Sequence, residues 1–476
     1  MLVDHIHRAV KRLFEGDGGE PAAAPTVRIV NFSIGDRARQ FSQLMSPLAR
    51  LLDWLSLKYQ VLFVISAGNQ NMRAIDTGLP RDAFGRLTDD ELERLVVSKL
   101  YDDARHRRLL SPAESINGIT VGAAHYDAAG ASTLDRSIDA FTGVLPSPIS
   151  PFGSGYRRAI KPELIVSAGR VLFDEPLGAQ STIKLKPRTR MTAPGSRVAA
   201  PGINTGDLTK TTFACGTSNA AALMSRSASL CHDALVEILQ NQAPGTDSAL
   251  CVVPLIKAML IHGCSWNQVG SRLDAILRTP GNGRQVRNWV SRWLGYGMPD
   301  ITKALECSAQ RASVIGFGRL DDGQAHVFSL PLPPSLGARR EWRKLTVTLA
   351  WLSPVASTTQ RYRVAQLWFE FEDGNKSREK LKQKLNVTGT DADGDATRRG
   401  TVQHEVFEGD RAVAITDGDT LRIKVNCRKD AGKLNEQVGY GLLVSMEVAE
   451  GVDLPIYDEI RTRIAPAIEI RPQDAR

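Results

Sequence analysis

The sequence has no apolar run approaching the roughly 18 residues that a membrane helix requires. Its longest candidate, Val61 to Ala67, is strand-sized, so no membrane span is expected. No CxxC pair occurs, and the six cysteines at 215, 231, 251, 264, 307 and 427 follow no regular spacing. That excludes a small disulfide-stapled scaffold and points to free, mostly buried thiols in a reducing cytoplasm. A basic stripe is also missing: 60 Lys and Arg stand against 52 Asp and Glu, interleaved, for a net charge of +8. Nucleic acid is therefore not an expected partner. The amino terminus, MLVDHIHRAVKRLFEG, has basic residues where a secretory signal needs an unbroken apolar core. There is no internal repeat. What remains is an ordinary globular composition over 476 residues, 42% hydrophobic and 24% charged, long enough for two or three domains with a sizeable core.

The first half reads as alternating helices and apolar strands. Leu2, Ile6, Val10, Leu13 and Phe14 share one helix face. Val27 to Gly35 and Val61 to Asn69 are short, nearly continuous apolar strands, with a helical pattern from Phe41 to Tyr59 between them. A third strand spans Gly118 to Ala124, after a helical insertion at about residues 74–112 in which Thr88 and Glu91 have capping-box spacing. This pattern predicts a parallel sheet covered on both faces. Helices are expected over Asn219 to Leu239 and Ala249 to His262. From about residue 310 the period becomes two: Tyr440, Leu442, Val444, Met446 and Val448 share a face, as do Leu421, Ile423, Val425 and Cys427. An antiparallel β-sandwich is expected over residues 310–452. Residues 453–476 read as a charged tail, helical around Tyr457 to Ile464.

The most specific string is TFACGTSNAAALMS, in which Gly216, Thr217 and Ser218 lead into an Ala-rich helix. Small residues before a serine let a turn expose the hydroxyl, and the helix start offers free N–H groups to a developing oxyanion. Taken alone, Ser218 reads better as a helix cap. ISAGN places Asn69 directly after an apolar strand and a glycine, where parallel sheets build their sites; a turn residue is the plainer reading.

Together these strings resemble the subtilisin-like serine peptidases, the subtilases. GTSNAAA resembles the family's GTSMAxP serine motif, SAGN its oxyanion-asparagine motif and NFSIG its NxSxG strand. SPAESINGITVGA is similar to its proline-to-VGA segment, and FGSGYRRAIKPELIVSAG to its FSS, KPD and APG stretch. VVPLIKAMLIHGC resembles the helix after the nucleophile, and RWLGYGMPDITKAL the closing GYG element. The resemblance implies a subtilisin-like catalytic domain over residues 1–309, hydrolysing polypeptides through a serine acyl-enzyme. Ser218 would be the nucleophile, with the Asn69 amide and the Ser218 N–H binding the oxyanion. Ser33, Ile34 and Gly35 would pair with substrate backbone, and Ser66, Ala67 and Gly68 would line the primary specificity pocket.

The family also needs an aspartate in a DTG-like motif and a histidine in HGT, both upstream of NxSxG; neither motif occurs here. His5 and His7, with Asp4, are the substitutes nearest in position, and as helix-face residues they read as solvated. The expectation is a sheet incomplete at its amino-terminal side, with the strand at Val27 to Gly35 left at an open edge. A chain lacking its true beginning is the preferred reading; a second chain supplying the missing strands and a degenerate, non-catalytic binding protein are the others. Ala222 and Leu223 replace the family's usual proline and histidine. Cys215 reads as a small buried residue. Asp391 to Asp395 (DADGD) resembles a calcium loop in carboxylate density but lacks the later glutamate, and a hairpin turn explains it as well. No cofactor is expected, with calcium the one candidate ion. Some intracellular bacterial subtilases of similar layout are encoded beside an AAA-type ATPase, which the resemblance makes a candidate partner.

Overall fold

The computed structural model describes every residue except 1, 131–135, 176–180, 189–190, 203, 357–358, 360, 372–397, 411–418, 464–468 and 473–476. Helix α1 (Leu2–Phe14) precedes strand β1 (Ile29–Phe32), helix α2 (Pro47–Tyr59) and strand β2 (Leu62–Ser66). Helix α3 (Asp89–Asp102) lies in the insertion, followed by β3 (Ile119–Ala124) and β4 (Leu164–Ser167). The four strands pair in parallel in the order β1-β2-β3-β4. Helix α2 starts at Pro47 rather than Phe41. Ser46 caps it by accepting from the Ala49 N–H, and Pro47, lacking a donor, fits the first turn. Thr88 and Glu91 form the expected reciprocal capping box on α3.

Two long helices follow, α4 (Thr217–Gln242) and α5 (Val252–His262). Residues of β2 alternate between two layers, as its pleat requires. Leu62 and Val64 pack with Ala220, Ala221 and Met224 of α4. Val61, Phe63 and Ile65 pack with Leu48, Leu52 and Leu55 of α2 and Val10 of α1. The sheet is thus covered on both faces, with α1 and α2 opposite α4.

Two antiparallel four-stranded sheets make the sandwich. One orders Arg311–Leu320, Val438–Val448, Arg343–Trp351 and Val402–Gly409. The other orders Ala365–Phe371, Thr420–Lys429, Gln324–Pro331 and Glu469–Pro472. Tyr440, Leu442, Val444, Met446 and Val448 do share the inner face. The intervening residues are not solvated, however, because α5 covers the outer face: Leu443 joins the core of the parallel sheet. His262 of α5 bonds Thr348 through Nδ1 and Ser445 through Nε2, both at 2.9 Å. The segment read as a tail is also structured. Its helix is Ile456–Arg461, shorter than expected, and Leu454, Ile456 and Ile460 are buried in the sandwich core. Among the described residues no helix is long and apolar enough to cross a membrane.

A buried polar junction joins the layers. Asp53 of α2 accepts from the Ser115 hydroxyl (2.5 Å), the Asn117 N–H (2.8 Å) and the Tyr362 hydroxyl (2.8 Å). Lys257 of α5 donates to the Ile116 and Asn117 carbonyls (3.0 Å each) and to Thr401 (2.7 Å). Burial pushes the Lys257 ammonium down to about 7. An unfolded lysine titrates near about 10.4, so between those values the unfolded chain binds the extra proton and stability rises with pH. The advantage of the wild type over Lys257→Met should therefore grow between about pH 7 and about pH 9.5, by at most about 1.4 kcal/mol per pH unit. Urea unfolding checks this, and an advantage that stays level or shrinks contradicts a buried amine that loses its charge.

Candidate active site

At the carboxyl end of β2 the chain must turn. Gly68 does so at φ +103, where a Cβ would fall 2.6 Å from the Leu110 side chain. Asn69 follows. From the far half of the chain, Gly216 (φ +133) leads into α4, and its N–H donates to the Ala168 carbonyl just past β4 (3.0 Å). The two turns meet. The Thr217 N–H donates to Asn69 Oδ1 at 3.0 Å. The buried Thr217 hydroxyl accepts from the Gly68 N–H (3.1 Å) and donates toward the Gly68 carbonyl (2.9 Å). With its oxygen so held, the Asn69 amide is oriented, and among the described residues its Nδ2 has no partner. The same holds for the Ser218 N–H and Oγ. Ser218 is thus the second residue of a 26-residue helix, with a free hydroxyl and a free N–H beside a free amide NH₂. Free donors at a helix start can meet a developing negative charge, supplemented by the positive end of the helix dipole.

Ser33 lies alongside, its hydroxyl 3.5 Å from the Ser218 carbonyl oxygen. Residues 33–35 continue beyond β1 with no backbone hydrogen bond among the described residues, and Ile34 is 44% exposed. Gly35 comes close to Gly68 and Leu110. Ser66 and Ala67 are buried, and the Ala67 carbonyl accepts from the Leu110 N–H (3.1 Å). The Leu110 side chain, itself buried, fills the space between the Ser33–Gly35 and Ser66–Gly68 segments. Leu110 and Thr217 both escaped the sequence reading.

His5 and His7 stand on α1, which packs on α2 across the sheet from α4. His7 is not simply solvated, for its ring meets Trp54 edge-on at 5.7 Å. Among the described residues a buried histidine, His125, does pair with a half-buried aspartate, Asp139. His125 Nε2 lies 2.9 Å from Asp139 Oδ1, and its Nδ1 accepts from the Val171 N–H at 3.2 Å. Burial opposes ionisation of Asp139, but His125 and Arg170 hold its carboxyl below the usual value. Both ring nitrogens are engaged, so His125 has no site left for a serine proton. Among the described residues no histidine bonds Ser218. Burial, with Asp127 nearby, pushes the Cys215 thiol up to about 11, which keeps it protonated and inert. Among the described residues no group of three or more His, Cys, Asp or Glu is placed to hold a metal ion; Asp391 to Asp395 lie outside the described residues.

Gly216 tests the frame itself. A Cβ there would fall 2.9 Å from Asn69 Oδ1 at a backbone angle that side chains rarely adopt. Gly216→Ala should lower unfolding stability by about 1–3 kcal/mol in urea denaturation. A variant as stable as the wild type contradicts the tight approach of the two turns.

The profile of the subtilase family (peptidase S8) matches residues 9–297. Uncharacterized protein y4bN of Sinorhizobium fredii (strain NBRC 101917 / NGR234) is 24% identical over 486 residues, spanning 97% of this chain and 100% of the relative. Solved structures similar to the chain include the prenylagaramide maturation protease PagA, at 15% identity and TM-score 0.31, over 64% of this chain and 66% of that one. A protease of Pseudoalteromonas arctica PAMC 21717 is likewise 15% identical with TM-score 0.31, over 64% of this chain and 58% of that one. With the family profile covering more than half its length, from the first helix through the GYG element, the chain belongs to the subtilase family.

Proposed function

We propose that this chain carries the nucleophile and oxyanion site of a serine endopeptidase. The observation that supports it is the juxtaposition of a free Ser218 hydroxyl with two unpartnered donors, the Ser218 N–H and Asn69 Nδ2, at one helix start. A substrate strand would lie along the unpaired backbone of Ser33, Ile34 and Gly35. Attack of Ser218 Oγ on the peptide carbon would form a C–O bond and move the carbonyl electrons to oxygen, where both donors meet the charge. Collapse would expel the amine, and water would release the acyl group.

The serine proton needs a base, and among the described residues none touches it. The reading therefore assigns the histidine and its orienting carboxylate to polypeptide outside this sequence. Two features favour complementation by a second polypeptide segment. Among the described residues strand β1 pairs on one side only, with β2. Beside it Ser225 of α4 reaches Asn31 (3.3 Å), and the same helix exposes Leu223 and Leu230 at 44% and 46%. An unpaired strand edge, like exposed leucines, is where another segment would pack. Cysteines 215, 231, 251, 264, 307 and 427 are all free, which suits a reducing compartment.

A fluorophosphonate probe tests this on the protein as produced in its own cells, with all associated polypeptide retained. Labelling should map to Ser218 and vanish in Ser218→Ala. Asn69→Gly should slow it by about 10²–10³, the effect of one such donor in subtilisin. Absence of labelling under these conditions overturns the enzymatic reading and leaves a binding protein. The isolated chain, without a base, should react slower by about 10⁶.

A further inference from the structure

A second, chemically distinct cavity of about 290 Å³ lies where the parallel-sheet layer meets the sandwich. Four separate stretches of chain build it. The loop after Tyr156 contributes Arg157, the entry to strand Ala365–Phe371 contributes Arg363, residues 398–399 contribute two more arginines, and the end of strand Thr420–Lys429 brings Arg428. Five arginines thus face one carboxylate, Asp430.

That carboxylate is already saturated. Asp430 Oδ1 accepts from Arg157 (3.0 Å), and Oδ2 accepts from Arg363 through Nε (3.0 Å) and Nη2 (2.8 Å). Burial opposes its ionisation, yet the two guanidinium groups hold its carboxyl below the usual range. Arg363 is 2% exposed and also donates to the Arg398 and Gly400 carbonyls, so it is fixed in place. Arg428 is preset differently, stacked 5.2 Å over the Trp368 ring and bonded to Gln366 (3.3 Å). The Arg157 loop is bolted down by Tyr156, whose hydroxyl accepts from the Tyr362 N–H at 2.8 Å. Arg157 and Arg158 sit at φ 51 and φ 66, a conformation that disfavours side chains. Among the described residues the side chains of Arg398 and Arg399 have no partner. Clustered guanidinium groups repel one another unless an anion joins them. A carboxylate is satisfied by two guanidinium groups, as Asp430 shows. A phosphate group offers three acceptor oxygens and nearly two charges, which suits the remaining arginines and their planar fork geometry.

We propose that this cavity, walled by Arg363, Arg398, Arg399 and Arg428, binds a phosphate group, either as the free ion or on a larger carrier. The site is independent of the serine centre and stands whether or not that centre is catalytic. Isothermal titration of the full chain in low-salt, phosphate-free buffer tests it with three probes: inorganic phosphate, a phosphoserine peptide and its unphosphorylated twin. Saturable binding of a phosphate form should quench fluorescence in the wild type but not in Trp368→Phe. It should weaken about tenfold or more in the Arg398→Gln/Arg399→Gln double variant, with an unchanged Tm. The control pair Arg339→Gln/Arg340→Gln, on exposed surface elsewhere, should bind like the wild type. Equal affinity for phosphate and phosphopeptide supports the free ion; clearly tighter phosphopeptide binding supports a carrier. Failure of both phosphate forms to bind overturns the proposal, as does equal binding of the unphosphorylated twin or unchanged affinity in the double variant.

Discussion

The site depends on one hydrogen bond, from the Thr217 N–H to the Asn69 side-chain oxygen. It occupies the acceptor end of the amide and leaves the donor end, Nδ2, without a partner among the described residues. It also brings together two turns separated by 148 positions in the chain. Each turn has a glycine at positive φ because each runs against its neighbour: Gly68 against Leu110, and Gly216 against Asn69. The parallel sheet supplies the frame, since β2 ends at Asn69's turn and β4 ends where Gly216 is anchored on Ala168. Ser218 follows from this geometry. It is half-buried at a helix start that the sheet itself positions.

The sandwich is no detached appendage. Helix α5 follows directly on the serine helix in the chain and packs against both. Its Lys257 holds the Ile116 and Asn117 carbonyls, and Asp53 holds the same loop from the other side. That loop leads into β3, a central strand of the parallel sheet. Buried polar groups of this kind are tolerated only when their hydrogen-bonding atoms are met. The sandwich meets two of them, through Tyr362 and Thr401. The same junction also brings Arg157 of the parallel-sheet layer to the arginine-lined cavity of the sandwich.

Much of this was legible in the sequence. Apolar runs marked β1, β2 and β3, and the capping box at Thr88 marked α3. Ser218 and Asn69 stood out because the strings around them, GTSNAAA and SAGN, resemble subtilase motifs. Thr217 did not: a threonine in GTS has no periodicity, and its role exists only once Gly68 is beside it. The His125–Asp139 pair and the arginine cavity were hidden for the same reason, being assembled from residues with no shared local pattern. Alternation in Val438–Val448 revealed one buried face of that strand. It could not reveal the other, where Ser445 and Thr348 look polar but are buried against His262. The start of α2 was misplaced because leucine spacing carries no boundary, whereas the Ser46–Pro47 pair does.

A crystal structure of the protein with a peptidyl phosphonate joined to Ser218 addresses the central claim most directly. The account predicts the phosphonyl oxygen within about 2.7–3.1 Å of both Asn69 Nδ2 and the Ser218 nitrogen, with the peptide along residues 33–35. An adduct whose oxygen turns to solvent, with Asn69 still bonded only to Thr217, would contradict it.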